Sequence, residues 1–153
     1  MFTKIIRWTT HESAMLQHLG LAVIRIGAGI IFLIFGYNKL ISGTAHVTEI
    51  GSAVSLFGIT CGYVVWGYLA ALTEFCAGLA YITGFWTRIA SLPLICLLIV
   101  ALKFHFSKGD PSTAWGFAFS LLCVAIGFFL AGSGTYSMDH FTRSPAQEAE
   151  NSY

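Results

Sequence analysis

Apolar residues fill four long blocks of this chain, at about 19–41, 64–84, 88–106 and 114–132, with shorter polar stretches between them. Each block is close to the ~20 residues that an α-helix, rising 1.5 Å per residue, needs to cross a hydrocarbon layer about 30 Å thick. Tyr37, Trp66, Tyr68, Trp86, Trp115 and Tyr136 fall near the block ends, where amphipathic rings prefer the membrane boundary. The pattern predicts an all-α membrane protein, an antiparallel four-transmembrane-helix bundle with both ends on one side of the bilayer.

The connections carry further detail. Residues 1–18 place Lys4, Arg7, His11, Glu12 and His18 among Phe2, Ile5, Ile6 and Trp8, which reads as an interfacial segment before the first span. The apolar block that follows is longer than a signal peptide's core and has no convincing Ala-x-Ala site after it, so the first helix is expected to stay uncleaved. Between the first two spans, Ser42 to Tyr63 is too long for a turn. Its Val47, Ile50, Val54 and Phe57 recur at helical spacing, predicting a short interfacial helix that lies on the membrane or folds over the mouth of the bundle. Phe85-Trp86-Thr87 is so short that the second and third spans must be antiparallel neighbours. Lys108-Gly109-Asp110-Pro111 is a polar turn, and residues 133–153 read as a polar carboxyl tail.

Composition agrees with lipid as the solvent. Of 153 residues, 56% are hydrophobic and 10% charged, against about 25% charged in a soluble domain. A net charge of +1 and the lack of a basic run exclude nucleic acid as a partner. Lys4, Arg7, Arg88 and Arg143 lie on the terminal side and Lys39, Lys103 and Lys108 on the other, a small excess that puts both termini in the cytoplasm. The cysteines, Cys61, Cys76, Cys96 and Cys123, show no Cys-x-x-Cys pair and no metal-ligand spacing. They read first as small buried apolar residues, with a redox pairing of Cys76 with Cys96 or Cys123 left open.

Ionisable residues within the spans are costly and carry the candidate chemistry. Arg25 and Glu74 are placed at similar depths by an antiparallel count, so a buried Arg25–Glu74 ion pair is expected, either as a register lock or as part of a proton relay or anion site. The alternative is a protonated Glu74 with Arg25 snorkelling to the surface. At about 100° per residue, Arg25, Gly29, Phe32, Gly36 and Lys39 share one helix face, and Gly67, Ala70, Glu74, Gly78 and Tyr81 share another. Their small residues permit close approach. Gly116, Ser120, Cys123 and Gly127 make a similar face on the fourth span. Lys103 and His105, beyond Pro93 on the third span, are snorkelling residues or, with Lys39, the lining of a mouth suited to an anion or a quinone head group. A lone histidine is a poor basis for haem or copper, and no metal is expected.

Several segments resemble the DoxX family. Arg25-Ile26-Gly27 with Phe35-Gly36-Tyr37-Asn38-Lys39-Leu40 is similar to its first-helix pattern. The stretch from Glu74 through Gly78, Gly84 and Thr87-Arg88 is similar to its second-helix signature, and Gly132-Ser133-Gly134 with Ser137-Met138-Asp139 to its carboxyl motif. His105 stands where many members carry a histidine. The chain departs from the pattern at Ala114-Trp115, where many members have a glutamate, and at Ser133, where many have proline. The resemblance spans about residues 20–140 and implies a four-helix bundle in a bacterial cytoplasmic (inner) membrane. It also implies a connection to quinone-linked redox or oxidative-stress systems, since the family takes its name from a subunit linked to a quinol oxidase.

The expected function is therefore that of an integral membrane subunit or accessory protein of a quinone-linked system, docking on other membrane subunits or on copies of itself. The expected site residues are Arg25, Glu74, Lys39, Lys103 and His105, with a quinone or a lipid head group as the ligand considered and no cofactor assigned. The alternatives are a small thiol/quinone oxidoreductase relaying electrons through Cys76, Cys96 or Cys123, and a proton-coupled transporter using Glu74.

Overall fold

The computed structural model describes residues 14–142. In chain order these form α1 (Ala14–Ile41), α2 (Thr44–Gly51), a 3-10 helix (Ser52–Phe57), α3 (Tyr63–Thr83), α4 (Thr87–Lys108), α5 (Ser112–Ala131) and the short α6 (Met138–Phe141). α1, α3, α4 and α5 are long and apolar enough to cross a membrane, and the protein is a multi-pass, all-α membrane protein. Large apolar side chains such as Val23, Val65, Ile89 and Leu130 point outward from these helices, as expected where lipid rather than water is the surrounding solvent. Most of the expected amino-terminal interfacial segment and the end of the carboxyl tail lie outside the described residues. Residues 14–18 are part of α1, and residues 133–142 fold back against the bundle.

Glycines set how the helices meet. α1 and α3 cross where Gly29 faces the backbone of Gly78 and Ile82, and where Gly36 faces the backbone of Ala71 and Phe75. A methyl group at either glycine would collide with main chain, so the register is fixed by close backbone approach. Gly67, expected to face the first span, instead meets Val47 of α2, and Gly51 of α2 meets the Tyr63 carbonyl. The first loop is therefore locked onto the start of α3, with Val47 fully buried there. A methyl group at Gly116 or Gly127 on α5 would meet open space, and Cys123 beside them is exposed, so that small-residue face points out of the bundle.

The core joins all four long helices. Phe32, Tyr81, Leu94, Leu98, Leu121, Ala125 and Phe128 pack together, with Tyr81 edge-on to both Phe32 and Phe128. The Tyr81 hydroxyl shares a 2.7 Å hydrogen bond with Ser91. Left-handed Gly84 and Gly109 end α3 and α4. Trp86, a non-glycine residue at positive φ (53°), completes the tight α3–α4 turn, its backbone N–H donating to Asp139 Oδ1 at 2.9 Å.

Candidate functional site

The two buried charges sit at different levels and do not pair. The glycine register between α1 and α3 puts Glu74 opposite the Phe35–Gly36 level and Arg25 opposite the end of α3. About ten residues of helix, or ~15 Å, separate those levels, beyond the reach of an arginine side chain. This corrects the expected Arg25–Glu74 pair. Counting from span ends misplaced it, because close backbone packing rather than span length sets the register.

Arg25 is satisfied by main chain. Its Nε donates to the Tyr81 carbonyl at 2.9 Å, one terminal nitrogen to the Ser133 carbonyl, and the other to the Tyr136 carbonyl at 2.7 Å. The planar guanidinium suits this arrangement, because its fixed fork can hold several acceptors at once. Gly84 lies against it, where a methyl group would crowd both Arg25 and Ser137. Ser137 caps α6 by accepting the His140 N–H, and Asp139 holds the turn before α4 through its backbone N–H to Gly84 and its carboxylate to Trp86. The carboxyl motif thus wraps Arg25 and clasps one end of the bundle.

At the other level Glu74 pairs with Lys39, Nζ to Oε1 at 2.5 Å. Glu74 is 4% exposed and its second oxygen, Oε2, is buried without a hydrogen-bond donor among the described residues. A buried carboxylate oxygen in that state is unusual and marks a place where a donor is missing. Lys39 also lines a cleft of about 600 Å³ between α3 and α4, roofed by α2 and the 3-10 helix. Its other walls include Ile50, Val54, Trp66, Leu69, Leu97, Val100 and Phe104, and Ala70 and Thr73 come from the α3 turn that carries Glu74. The character is apolar, with Lys39 and His105 as its basic groups. Pro93 lies in the α4 wall and removes the N–H that would bond the Ile89 carbonyl.

The remaining sequence candidates are divided between roles. His105 lines the cleft and its Nδ1 is 2.7 Å from Asp110 Oδ2. Lys103 is not on the cleft wall; it fastens the roof, donating to the Leu56 carbonyl at 2.6 Å and lying 4.1 Å from the Phe57 ring centre. Lys108 adds an exposed pair with Glu49 of α2 at 3.1 Å. The four cysteines are free and exposed; Cys96 is on the cleft wall, whereas Cys76 and Cys123 are not. Sequence reasoning missed Ser133 and Tyr136 as partners of Arg25. The Gly-Ser-Gly-Thr run was visible, but nothing local says that its carbonyls converge on a residue more than a hundred positions earlier.

The apolar walls and the two basic groups, Lys39 and His105, suit an amphipathic ligand with an acceptor-bearing head. The family model described as DoxX matches residues 20–107, more than half of the chain. That match runs from within α1 through nearly all of α4 and includes Arg25, Lys39, Glu74, Lys103 and His105. No curated protein and no solved structure matches the chain.

Proposed function

The chain belongs to the DoxX family, and from that premise we propose that it binds a lipid-soluble quinone in the α3–α4 cleft as an accessory subunit of a membrane redox system. The observation that carries the reading is an apolar cleft with Lys39 at its wall and, behind Lys39, a glutamate whose second oxygen lacks a donor among the described residues. Lys39 would donate to a carbonyl oxygen of the head group, and His105 would contribute a second polar contact from α4. Glu74, behind Lys39 and off the cleft wall, holds the ammonium in place. Leu69, Leu97 and Val100 would take the first part of the tail, which leaves between α3 and α4 into lipid. When bound, a quinone supplies two-electron, two-proton redox chemistry; the residues here bind and orient it.

Two features favour the accessory role over a thiol relay. The cysteines stand free, with Cys96 but neither Cys76 nor Cys123 on the cleft wall, whereas a dithiol relay needs two sulfurs in close contact. The outward face of Gly116, Ser120, Cys123 and Gly127 suits close packing against another membrane subunit or a second copy. In this reading the protein lies in a bacterial cytoplasmic membrane with both termini in the cytoplasm, in keeping with its charge asymmetry.

Trp66 in the cleft wall provides the test. In lipid nanodiscs a short-tailed quinone is expected to quench its fluorescence saturably, with the saturable part absent in Trp66→Phe. Lys39→Met should weaken that binding by roughly tenfold, the loss of one charge-assisted hydrogen bond. Quenching that is linear in quinone and identical in the Trp66→Phe protein would reject the reading.

A further inference from the structure

A second hollow, of about 330 Å³, lies at the opposite end of the bundle from the cleft. It is lined by His18 of α1, Arg88 of α4, Ala131 at the end of α5, His140 of α6 and the Ser133-Gly134-Thr135 loop. Quinone binding in the cleft makes no use of it. Where the cleft is walled by apolar side chains, this hollow brings an arginine and two histidines from three separate helices to face the same loop. Among the described residues, no carboxylate lines it. The nearest acid among them, Asp139 next to His140, turns Oδ1 to the Trp86 N–H.

Arg88 gives one N–H to the Leu130 carbonyl at 3.1 Å, which anchors the guanidinium and leaves most of its donor fork for another acceptor. Its Nε lies against Gly132, whose φ is +81°, so the loop passes close to the guanidinium without a side chain in between. His18 lies near Gly134 of the same loop. The Thr135 hydroxyl adds a further donor. The loop itself is held from behind, because Arg25 fixes the Ser133 and Tyr136 carbonyls and Ser137 donates to the Gly134 carbonyl at 2.6 Å. A fixed loop and converging donors from three helices, without a competing carboxylate among the lining residues, are what a tetrahedral oxyanion requires.

We infer that this hollow is an oxyanion site that takes a phosphate group. Its place at the ends of α1, α4 and α5 is the level where lipid phosphates lie, so the phosphate comes either from an anionic phospholipid head group or from free inorganic phosphate. Arg88 and His140 bind it, with His18 as a further lining group. The site is independent of quinone binding and stands whether or not the cleft holds one.

The probes are inorganic phosphate, read as a rise in unfolding temperature over chloride at equal ionic strength, and nanodiscs of phosphatidylcholine with or without phosphatidylglycerol, read as retained lipid by native mass spectrometry. Arg88→Gln and His140→Gln are each expected to weaken binding by roughly tenfold. Lys108→Gln, which removes a cation at the other end of the bundle, should leave it unchanged. Because Arg88 also bonds the Leu130 carbonyl, His140→Gln is the variant that keeps the test valid if Arg88→Gln does not fold. Phosphatidylglycerol retention without a phosphate response assigns the site to lipid; a phosphate response alone assigns it to the free anion. No response to either probe, or equal weakening in the His140→Gln and Lys108→Gln proteins, overturns the site.

Discussion

The Arg25 end and the Lys39 end of the bundle each hold a cation, and they satisfy it differently. Arg25 is 2% exposed and is held by the carbonyls of Tyr81, Ser133 and Tyr136. These hydrogen bonds tie two other stretches of chain, the end of α3 and the carboxyl loop, to α1, so the charge serves as a structural knot. Lys39 pairs with the Glu74 carboxylate, is a quarter exposed, and sits on the wall of a cleft. Its counter-ion keeps an oxygen without a donor among the described residues. A buried polar group satisfied on every side is a stabilising element; one satisfied on a single side, beside a cavity, is suited to meeting a ligand.

The largest expected effect breaks the first of these arrangements. Arg25→Leu leaves buried carbonyls from α3 and the carboxyl loop without their donor, a loss of about 3–5 kcal/mol. The protein should fail to accumulate as a monodisperse species in detergent gel filtration. Arg25→Lys, which can reach fewer acceptors from a point charge, should recover only part of that loss. If Arg25→Leu unfolds at the wild-type temperature, the knot is not structural.

A smaller effect tests the register that separates the two ends. A methyl group at Gly36 meets the Ala71 and Phe75 backbone, whereas one at Gly27 meets nothing within 4 Å. Gly36→Ala should therefore destabilise by about 1–3 kcal/mol through forced separation of α1 and α3. Gly27→Ala should be neutral or stabilise by up to about 1 kcal/mol through helix propensity. Thermal unfolding of the two variants side by side is the measurement, and equal midpoints would remove the glycine register as the cause of the Arg25–Glu74 separation.

The smallest stability effect belongs to the Lys39 end. Glu74→Gln should cost about 1–2 kcal/mol, because Lys39 can turn its ammonium toward the surface once its partner is neutral. The double variant Lys39→Met with Glu74→Leu should come back to within about 1 kcal/mol of wild type, yet lose saturable quenching of Trp66 by quinone. Recovery of stability without recovery of binding would separate the ligand role of this pair from its packing role. A double variant that keeps full quenching would place the head group elsewhere in the cleft.

Span number, helical class and family were readable from the chain itself, because long apolar blocks permit few other structures in lipid and because the motifs are local. The short helix of the first loop was also readable: Val47, Ile50, Val54 and Phe57 repeat at helical spacing, and in the fold Val47 is buried on α3 while Ile50 and Val54 line the cleft. Both intramembrane charges and the lysine beside them could be picked out by the cost of placing them there.

Partner identity was decided only by tertiary structure. Arg25 was matched with Glu74 on depth and on helix face, but depth counted from span ends can err by a helical turn or more, since α1 already includes residues 14–18 ahead of Leu19. The true level comes from glycines meeting backbone across α1 and α3. Likewise, no local pattern tells that the carbonyls after α5 close on the first helix, or that α4, α3 and the loop helix leave a cleft between them. A sequence specifies which residues are expensive to bury; the packing of distant segments specifies what each of them is buried against.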